Sequence, residues 1–197
     1  MSALRIYVEG IAVLGPAMPD WATAAAILRD AAQANAQPFV PQPVMLPAPE
    51  MLPASERRRA GTAIKLSMAV GAAAVRDAGA DAAQLANIFS STGGDCENCH
   101  NMLETLASSD RQISPTRFHN SVHNAPAGYW SIATKCTAAS TSLCAYDGTF
   151  CSGLLEAAVQ CISSGERCLL VAFDTAYPEP LYSQRPIPYP FGLGLVK

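Results

Sequence analysis

Charged residues are scarce in this chain, and basic residues are not in excess. Of its 197 residues 15% are charged, and 13 Lys+Arg stand against 16 Asp+Glu, which gives a formal net charge of -3. A nucleic-acid-binding protein needs many cationic side chains to contact phosphates, so we expect no nucleic-acid partner. Half of the residues are hydrophobic, which excludes a disordered, highly solvated chain.

Long apolar runs and an export signal are also missing. No hydrophobic stretch reaches the ~18 residues of a membrane-spanning helix, and residues 1–15 lack the charged-then-apolar order of a signal peptide. We therefore expect a cytoplasmic protein without a membrane span. The seven cysteines, an odd number, are typical of a reducing compartment in which most thiols are small buried hydrophobes.

Segments typical of strands alternate with segments typical of helices. The sequence predicts strands at residues 4–14, 85–91, 140–146, 168–173 and 191–196. It predicts helices at 21–34 with Asp20 as N-cap, at 55–78 with Ser55 as N-cap, at 98–108 and at 154–163. Residues 113–123 are expected to be irregular, and 128–134 either helical or extended. This alternation predicts a layered α/β domain with a mixed, mostly parallel sheet.

Proline is distributed unevenly. Six of the 15 prolines fall between Pro38 and Pro53, and this density is incompatible with a long helix or a central strand. Apolar side chains are interleaved with these prolines, whereas a free linker would be more polar. We therefore expect residues 36–54 to lie extended on the surface of a single domain comprising residues 1–197.

The segment Cys96–His100 (CENCH) has the spacing of a c-type haem attachment site. Such attachment requires an exported chain, and a structural zinc site requires four ligands, of which this segment supplies three. A redox pair would need a thiolate, which the neighbouring Asp95 and Glu97 disfavour. We favour chance spacing, without haem, metal or other cofactor. A redox, metal or haem protein built on Cys96, Cys99 and His100 stays an alternative.

Cys151 is a further candidate nucleophile, because it follows a predicted turn near the start of a predicted helix. A helix N-terminus favours a thiolate, and acyl transfer then also requires a base. His119 or His123, in the polar segment 114–128, would be that base. The alternative interpretation of Cys151 is a buried cysteine in the first helical turn.

Taken in order, several segments resemble the N-terminal half of β-ketoacyl synthases, condensing enzymes of the thiolase fold. The similar segments are 10–16, the arginine triplet 57–59 with the following helix and Asp77-Ala78-Gly79, 89–94, 114–128, 156–158, and 165–172. The resemblance implies the N-terminal half of a thiolase-like α/β fold. The stretch RFHNSVHNAPAGYWSIAT is similar to a short chain-length-factor-like group, which accompanies a full ketosynthase in clusters for aryl polyenes, pigments and related polyketides.

The resemblance also implies that catalytic groups are missing. Active ketosynthases carry a cysteine at the strand-to-helix turn, and counting back from Gly165 places Gly148 at that position. The family's two catalytic histidines lie in a second half that this sequence does not contain, so the condensation would lack its oxyanion donor and its base. We therefore expect no catalytic residue, with Cys151, three residues after Gly148, as the alternative.

By this resemblance the chain is expected to be a non-catalytic subunit of type II fatty-acid or polyketide synthesis. It would pair with an active ketosynthase, or with a second copy of itself, and help to shape the acyl tunnel. Acyl carrier protein would be engaged through the partner, and no cofactor or metal is implied. The residues expected near the tunnel or the interface are Asp147, Gly148, Thr149, Phe150, His123 and Asn124. The alternative function is an acyltransferase with Cys151 as its acyl-accepting nucleophile.

Overall fold

A computed structural model describes residues 4–30, 40 and 42–197. Within these residues, five strands form one sheet: β1 Gly10–Leu14, β2 Ala86–Ser90, β3 Ser140–Leu143, β4 Cys168–Asp174 and β5 Phe191–Val196. Their spatial order is β1-β5-β4-β2-β3. Strand β5 is antiparallel to its neighbours β1 and β4, whereas β2 pairs in parallel with β3 and β4. The predicted mixed, mostly parallel sheet is confirmed.

Helices connect the strands and cover both faces of the sheet. In the described residues they are α1 Trp21–Arg29, α2 Ala54–Arg57, α3 Thr62–Asp77, α4 Cys96–Ala107, α5 Pro115–His119, α6 Ala125–Thr134, α7 Thr149–Ser164 and α8 Leu181–Gln184. A 3-10 helix at Tyr146–Gly148 runs directly into α7. None of the helices in this part of the chain has the length and apolar character that crossing a bilayer requires.

The larger part of the core lies between the sheet and helices α3 and α6. Trp130 of α6 is fully buried there and contacts Phe89 of β2, with 6.3 Å between the ring centroids. On the opposite face α7 packs over Ile88 and Leu170. Helix α3 approaches β5 so closely that a Cβ at Gly194 would lie 2.4 Å from the carbonyl oxygen of Val70. A glycine is therefore required at this point of the strand.

The predicted helix 55–78 is wrong as a single element, because the chain forms α2 and α3 instead. Ser55 is not the N-cap, and Gly61 caps α3. The break between the helices has a tertiary cause: the side-chain amide of Asn120 donates a hydrogen bond of 2.8 Å to the carbonyl oxygen of Arg59. In addition, a Cβ at Gly61 would lie 2.8 Å from a carboxylate oxygen of Asp95.

Several other boundaries differ from the prediction. Strand β1 begins at Gly10, six residues later than predicted, and β3 ends at Leu143 instead of continuing to residue 146. Helix α7 begins at Thr149, five residues early, because the 3-10 turn leads into it. Helix α4 begins at Cys96, where the side chain of Asp95 accepts a hydrogen bond from the N–H of Asn98.

Three remaining expectations concern helices. Asp20 is confirmed as the N-cap of α1, since its carboxylate accepts a 2.7 Å hydrogen bond from the N–H of Thr23. Residues 31–34 of that predicted helix lie outside the described residues. The segment left open between helix and strand is helix α6, and the segment expected to be irregular contains the short helix α5. Of the predicted proline-rich segment 36–54, residues 36–39 and 41 lie outside the described residues, and residues 42–53 form neither helix nor strand, as predicted.

Candidate functional site

The turn between β3 and α7 places the residues that the sequence analysis singled out. Cys144 and Ala145 follow the strand, and Tyr146 has φ 52°, a left-handed backbone that is unusual for a bulky residue. The hydroxyl of Thr149 stabilises this turn, because it accepts a 3.0 Å hydrogen bond from the N–H of Ala145 and donates one of 2.6 Å to the carbonyl of Tyr146. Gly148 is the N-cap of α7 with φ -87°.

A cavity of about 460 Å³ lies beside this turn. It is located where β2 and β4 end, at the carboxyl edge of the parallel strands, which is the usual place for ligands in α/β sheets. Its apolar lining comes from Tyr146, Phe150, Ala172, Phe173, Phe191 and Leu193, and its polar lining from Ser90, Thr92, Asp147, Thr149, Asp174 and Arg185. Three of the predicted tunnel or interface residues, Asp147, Thr149 and Phe150, are therefore lining residues of one cavity.

Asp174, the last residue of β4, organises one wall of the cavity. Its Oδ1 accepts three hydrogen bonds, from the hydroxyl of Ser91 at 3.0 Å, from the N–H of Thr92 at 3.0 Å and from the N–H of Gly93 at 2.9 Å. The hydroxyl of Ser91 in turn accepts a 2.8 Å bond from the N–H of Gly94. The loop after β2 is thus held in a fixed conformation by one carboxylate.

Arg185 links the chain between β4 and β5 to the turn before α7. It forms an ion pair with Asp147, and its guanidinium carbon lies 4.4 Å from the centroid of the Tyr146 ring, a cation–π distance. The hydroxyl of Ser90, another lining residue of this cavity, is fully buried and has no hydrogen-bond partner among the described residues. A buried hydroxyl without a partner is costly, and this one packs against α7, where a Cβ at Gly153 would lie 2.8 Å from its oxygen.

His123 contacts the loop that follows β2. Its Nε2 is 2.9 Å from the carbonyl oxygen of Ser91, and we therefore assign the proton to Nε2, which leaves Nδ1 as an acceptor. Asn124 precedes α6 as an exposed residue whose side chain makes no capping hydrogen bond. His119 is placed elsewhere, edge-on to the ring of Tyr129 at 6.5 Å.

Cys151 lies in the first turn of α7 and is exposed, so its interpretation as a buried cysteine is wrong. Among the hydrogen bonds of the described residues, none joins Cys151 to His119 or His123. The described residues therefore contain no hydrogen-bonded pair of thiol and base for the acyltransferase alternative. Cys144 is a second exposed thiol nearby, with its Sγ 3.4 Å from the carbonyl oxygen of Thr92.

The CENCH segment forms the first turns of α4. Cys96 is buried, its Sγ lies 3.3 Å from the carbonyl oxygen of Gly93, and burial together with the charge of Asp174 raises its pKa to about 11. This thiol is therefore protonated at neutral pH, which disfavours thiolate chemistry. His100 contacts Glu104 at 3.2 Å. Within residues 4–30, 40 and 42–197, no group of three or more His, Cys, Asp or Glu side chains is arranged to hold a metal ion.

Sequence reasoning missed four polar residues of the cavity: Ser90, Thr92, Asp174 and Arg185. Asp174 had a detectable signal, because it directly follows a continuous apolar strand. Ser90 and Thr92 lie in 89–94, one of the segments that resemble β-ketoacyl synthases, but nothing local indicates that their side chains line a cavity. Arg185 lies in a proline-rich stretch, and nothing local indicates that it reaches a residue 38 positions away.

Comparison with known proteins identifies a family and several solved structures that resemble this chain. The family described as β-ketoacyl synthase, N-terminal domain, matches residues 29–197. A chain in the complex of the ketosynthase ApeO with its chain length factor ApeC from Xenorhabdus doucetiae is 26% identical, with a TM-score of 0.78, over 96% of this chain and 77% of that one. No curated protein is significantly similar in sequence.

Two further solved structures share the fold at lower identity. The ishigamide ketosynthase/chain length factor is 16% identical with a TM-score of 0.73, over 96% of this chain and 60% of that one. The complex AntDE:AntF, a type II ketosynthase with its acyl-carrier protein, is 15% identical with a TM-score of 0.76, over 96% of this chain and 61% of that one. This chain thus spans less than two thirds of both. The expected N-terminal half of a thiolase-like fold is confirmed.

Proposed function

Because the chain belongs to the family of β-ketoacyl synthase N-terminal domains, we propose that it is a non-catalytic, chain-length-factor-like subunit. In this proposal it assists an active ketosynthase in type II fatty-acid or polyketide synthesis of the aryl polyene kind. Support comes from its similarity to a complex that contains a ketosynthase and its chain length factor. Acyl carrier protein would be engaged through the partner, as in the AntDE:AntF complex, where a ketosynthase binds its carrier protein.

One observation carries the non-catalytic part of this proposal. The turn at which active relatives are expected to carry a cysteine is formed by Tyr146, Asp147 and Gly148. The two side chains in it are engaged with Arg185, and no hydrogen bond of the described residues pairs the nearby thiol of Cys151 with a histidine. Covalent acyl transfer needs both a nucleophile and an activating base, so these contacts support the proposal that this turn does not act in acyl transfer.

The partner surface in this proposal is the open edge of the sheet and the helix beside it. Strand β3 is the last strand of the sheet and pairs only with β2 among the described residues. On the neighbouring α7, the side chains of Leu155, Val159 and Ile162 recur at helical spacing and are 55%, 46% and 48% exposed. An open edge next to an exposed apolar helix face is typical of a protein contact.

Asp147, Gly148, Thr149 and Phe150 lie at the start of this helix, between the cavity and the surface. Phe150 lines the cavity and is also 41% exposed, so it would contact both a chain in the cavity and a partner subunit. His123, which contacts the loop after β2, and the following Asn124 complete the proposed tunnel or interface set.

The experiment that tests the non-catalytic proposal is intact-mass spectrometry after exposure to acyl and malonyl carrier proteins. We expect the mass of the unmodified chain, with or without the ketosynthase partner. A single acyl adduct that is lost in Cys151→Ala would contradict the proposal and establish the acyltransferase alternative. The variant Cys144→Ala is the matched control, because it removes the other exposed thiol near the turn.

A further inference from the structure

A second cavity, of about 660 Å³, has none of its described lining residues in common with the cavity beside Tyr146. It lies between the proline-rich residues 42–51, the outer flank of α3 and strand β1. We call it the strap groove, because residues 42–51 pass over it in extended form. Nothing in the proposed function uses this site.

The walls of the strap groove are aliphatic. Its strap side presents prolines with Val44 and Met45, and its β1 side presents Val13 and Leu14. On the α3 side the small side chains of Ala69, Ala72 and Ala73 leave the space open. No aromatic ring is among the described lining residues, so nothing in this groove would stack on a planar ligand, and its shape suits an extended chain.

Two cations stand at the ends of this aliphatic surface. Lys65 and Arg76 both line the groove and are eleven residues apart on α3, which places them ~16 Å apart along the helix axis and on nearly the same face. Neither forms an ion pair in the described residues, and the one carboxylate of the lining, Glu50, is paired with Arg57. The groove therefore has an uncompensated positive charge at each end.

We propose that the strap groove binds an unbranched aliphatic carboxylate of medium chain length. The carboxylate pairs with Lys65, which is half-buried, whereas Arg76 is exposed, and an ion pair that is partly buried is screened less by salt. The aliphatic chain lies over Ala69, Ala72 and Ala73 and points towards Arg76. This ligand class matches the half-buried cation and the aliphatic walls because it joins one anionic group to an apolar chain, whereas Arg76 at the other end is exposed to solvent and needs no anion from the ligand.

Titration of the full chain with decanoate, followed by calorimetry, tests this proposal. We expect saturable binding of one decanoate per chain, and no binding of decylamine. Lys65→Met should weaken binding roughly tenfold, which corresponds to the loss of one charge-assisted contact, while Lys65→Arg retains it. Ala72→Leu, which fills the groove, should abolish binding. Arg29→Met removes a cation outside the groove and serves as the control without effect.

Absence of saturable decanoate binding by the folded chain, checked by circular dichroism, would overturn the proposal. Binding that is equally strong in Ala72→Leu and in Lys65→Met would also overturn it, because the ligand would then be bound elsewhere. Equal binding of decylamine would contradict the role of the cations. The result is independent of the proposed partner function, since the strap groove contains neither β3 nor the exposed face of α7.

Discussion

The carboxylate of Asp174 accepts a hydrogen bond of 3.0 Å from the backbone N–H of Thr92, 82 residues earlier in the chain. The same oxygen binds the N–H of Gly93 and the hydroxyl of Ser91. One side chain at the end of β4 therefore fixes the loop after β2, against which His123 and Cys144 both lie. The shape of the proposed site depends on this contact more than on any local motif.

Asp174→Asn is expected to lower the free energy of unfolding by about 1–3 kcal/mol, because three hydrogen bonds lose an ionised acceptor. Urea denaturation measures the change. Glu166→Gln is the matched control, since Glu166 is an exposed carboxylate, and it should leave the midpoint unchanged. Equal midpoints for the two variants would show that the carboxylate does not hold the loop.

Gly194→Ala is expected to destabilise the protein by about 3 kcal/mol or more, because the added methyl would overlap the carbonyl of Val70 and the side chain of Ala74. Gly128→Ala, in the exposed part of α6 with no atom of the described residues within 4 Å of the added Cβ, should instead stabilise it by about 0.5–1 kcal/mol. Thermal denaturation of both variants measures whether the two changes in stability have opposite signs. A stable Gly194→Ala variant would refute the close approach of α3 to β5.

Three of the seven cysteines should react rapidly with N-ethylmaleimide in the folded protein. Cys99, Cys144 and Cys151 are exposed, whereas the other four are buried. Burial raises the pKa of the Cys96 thiol to about 11 and also raises the pKa of the Cys168 thiol, whose Sγ lies 3.0 Å from that of Cys161. Mass spectrometry with peptide mapping counts the adducts, and rapid labelling of Cys96 would contradict its burial.

Asp95→Asn should be more stable than the parent protein at neutral pH. Burial raises the pKa of Asp95, so the folded state holds its proton to a higher pH than the unfolded state does, and ionisation costs stability as the pH rises. Asparagine is an equally good N-cap and lacks this penalty. The stability gain of Asp95→Asn should therefore grow as the pH rises through the pKa values of Asp95 in the unfolded and folded states. It should disappear below the unfolded value of about 3.9. A difference in stability between variant and parent that does not depend on pH would contradict this prediction.

Some elements could be predicted from sequence because their signal is local. Strand β4 was recognisable as a continuous apolar run, and the structure buries it on both faces. In β5 the alternation of glycine with leucine places Gly192 and Gly194 against α3 and leaves the leucines to the other face. The capping carboxylate of Asp20 was likewise recognisable, because it acts only three residues away.

Other features depend on contacts that no local pattern contains. The break before Gly61 is stabilised by Asn120, 61 residues from its acceptor on Arg59. The early start of α7 follows from the hydrogen bonds of the Thr149 hydroxyl within the turn, where Tyr146 adopts a left-handed backbone. The cavity was missed for the same reason, since Asp174 and Arg185 reach it from segments far away in sequence.

The most direct test of the central proposal is co-expression of this chain with the catalytic ketosynthase of its own organism, followed by size-exclusion chromatography with light scattering. We predict a one-to-one complex that is lost in Leu155→Glu, on the exposed face of α7, and retained in Leu28→Glu, on α1 at the other end of the sheet; both leucines are exposed. A chain that stays separate from the ketosynthase, or a complex that Leu155→Glu leaves intact, would contradict the account.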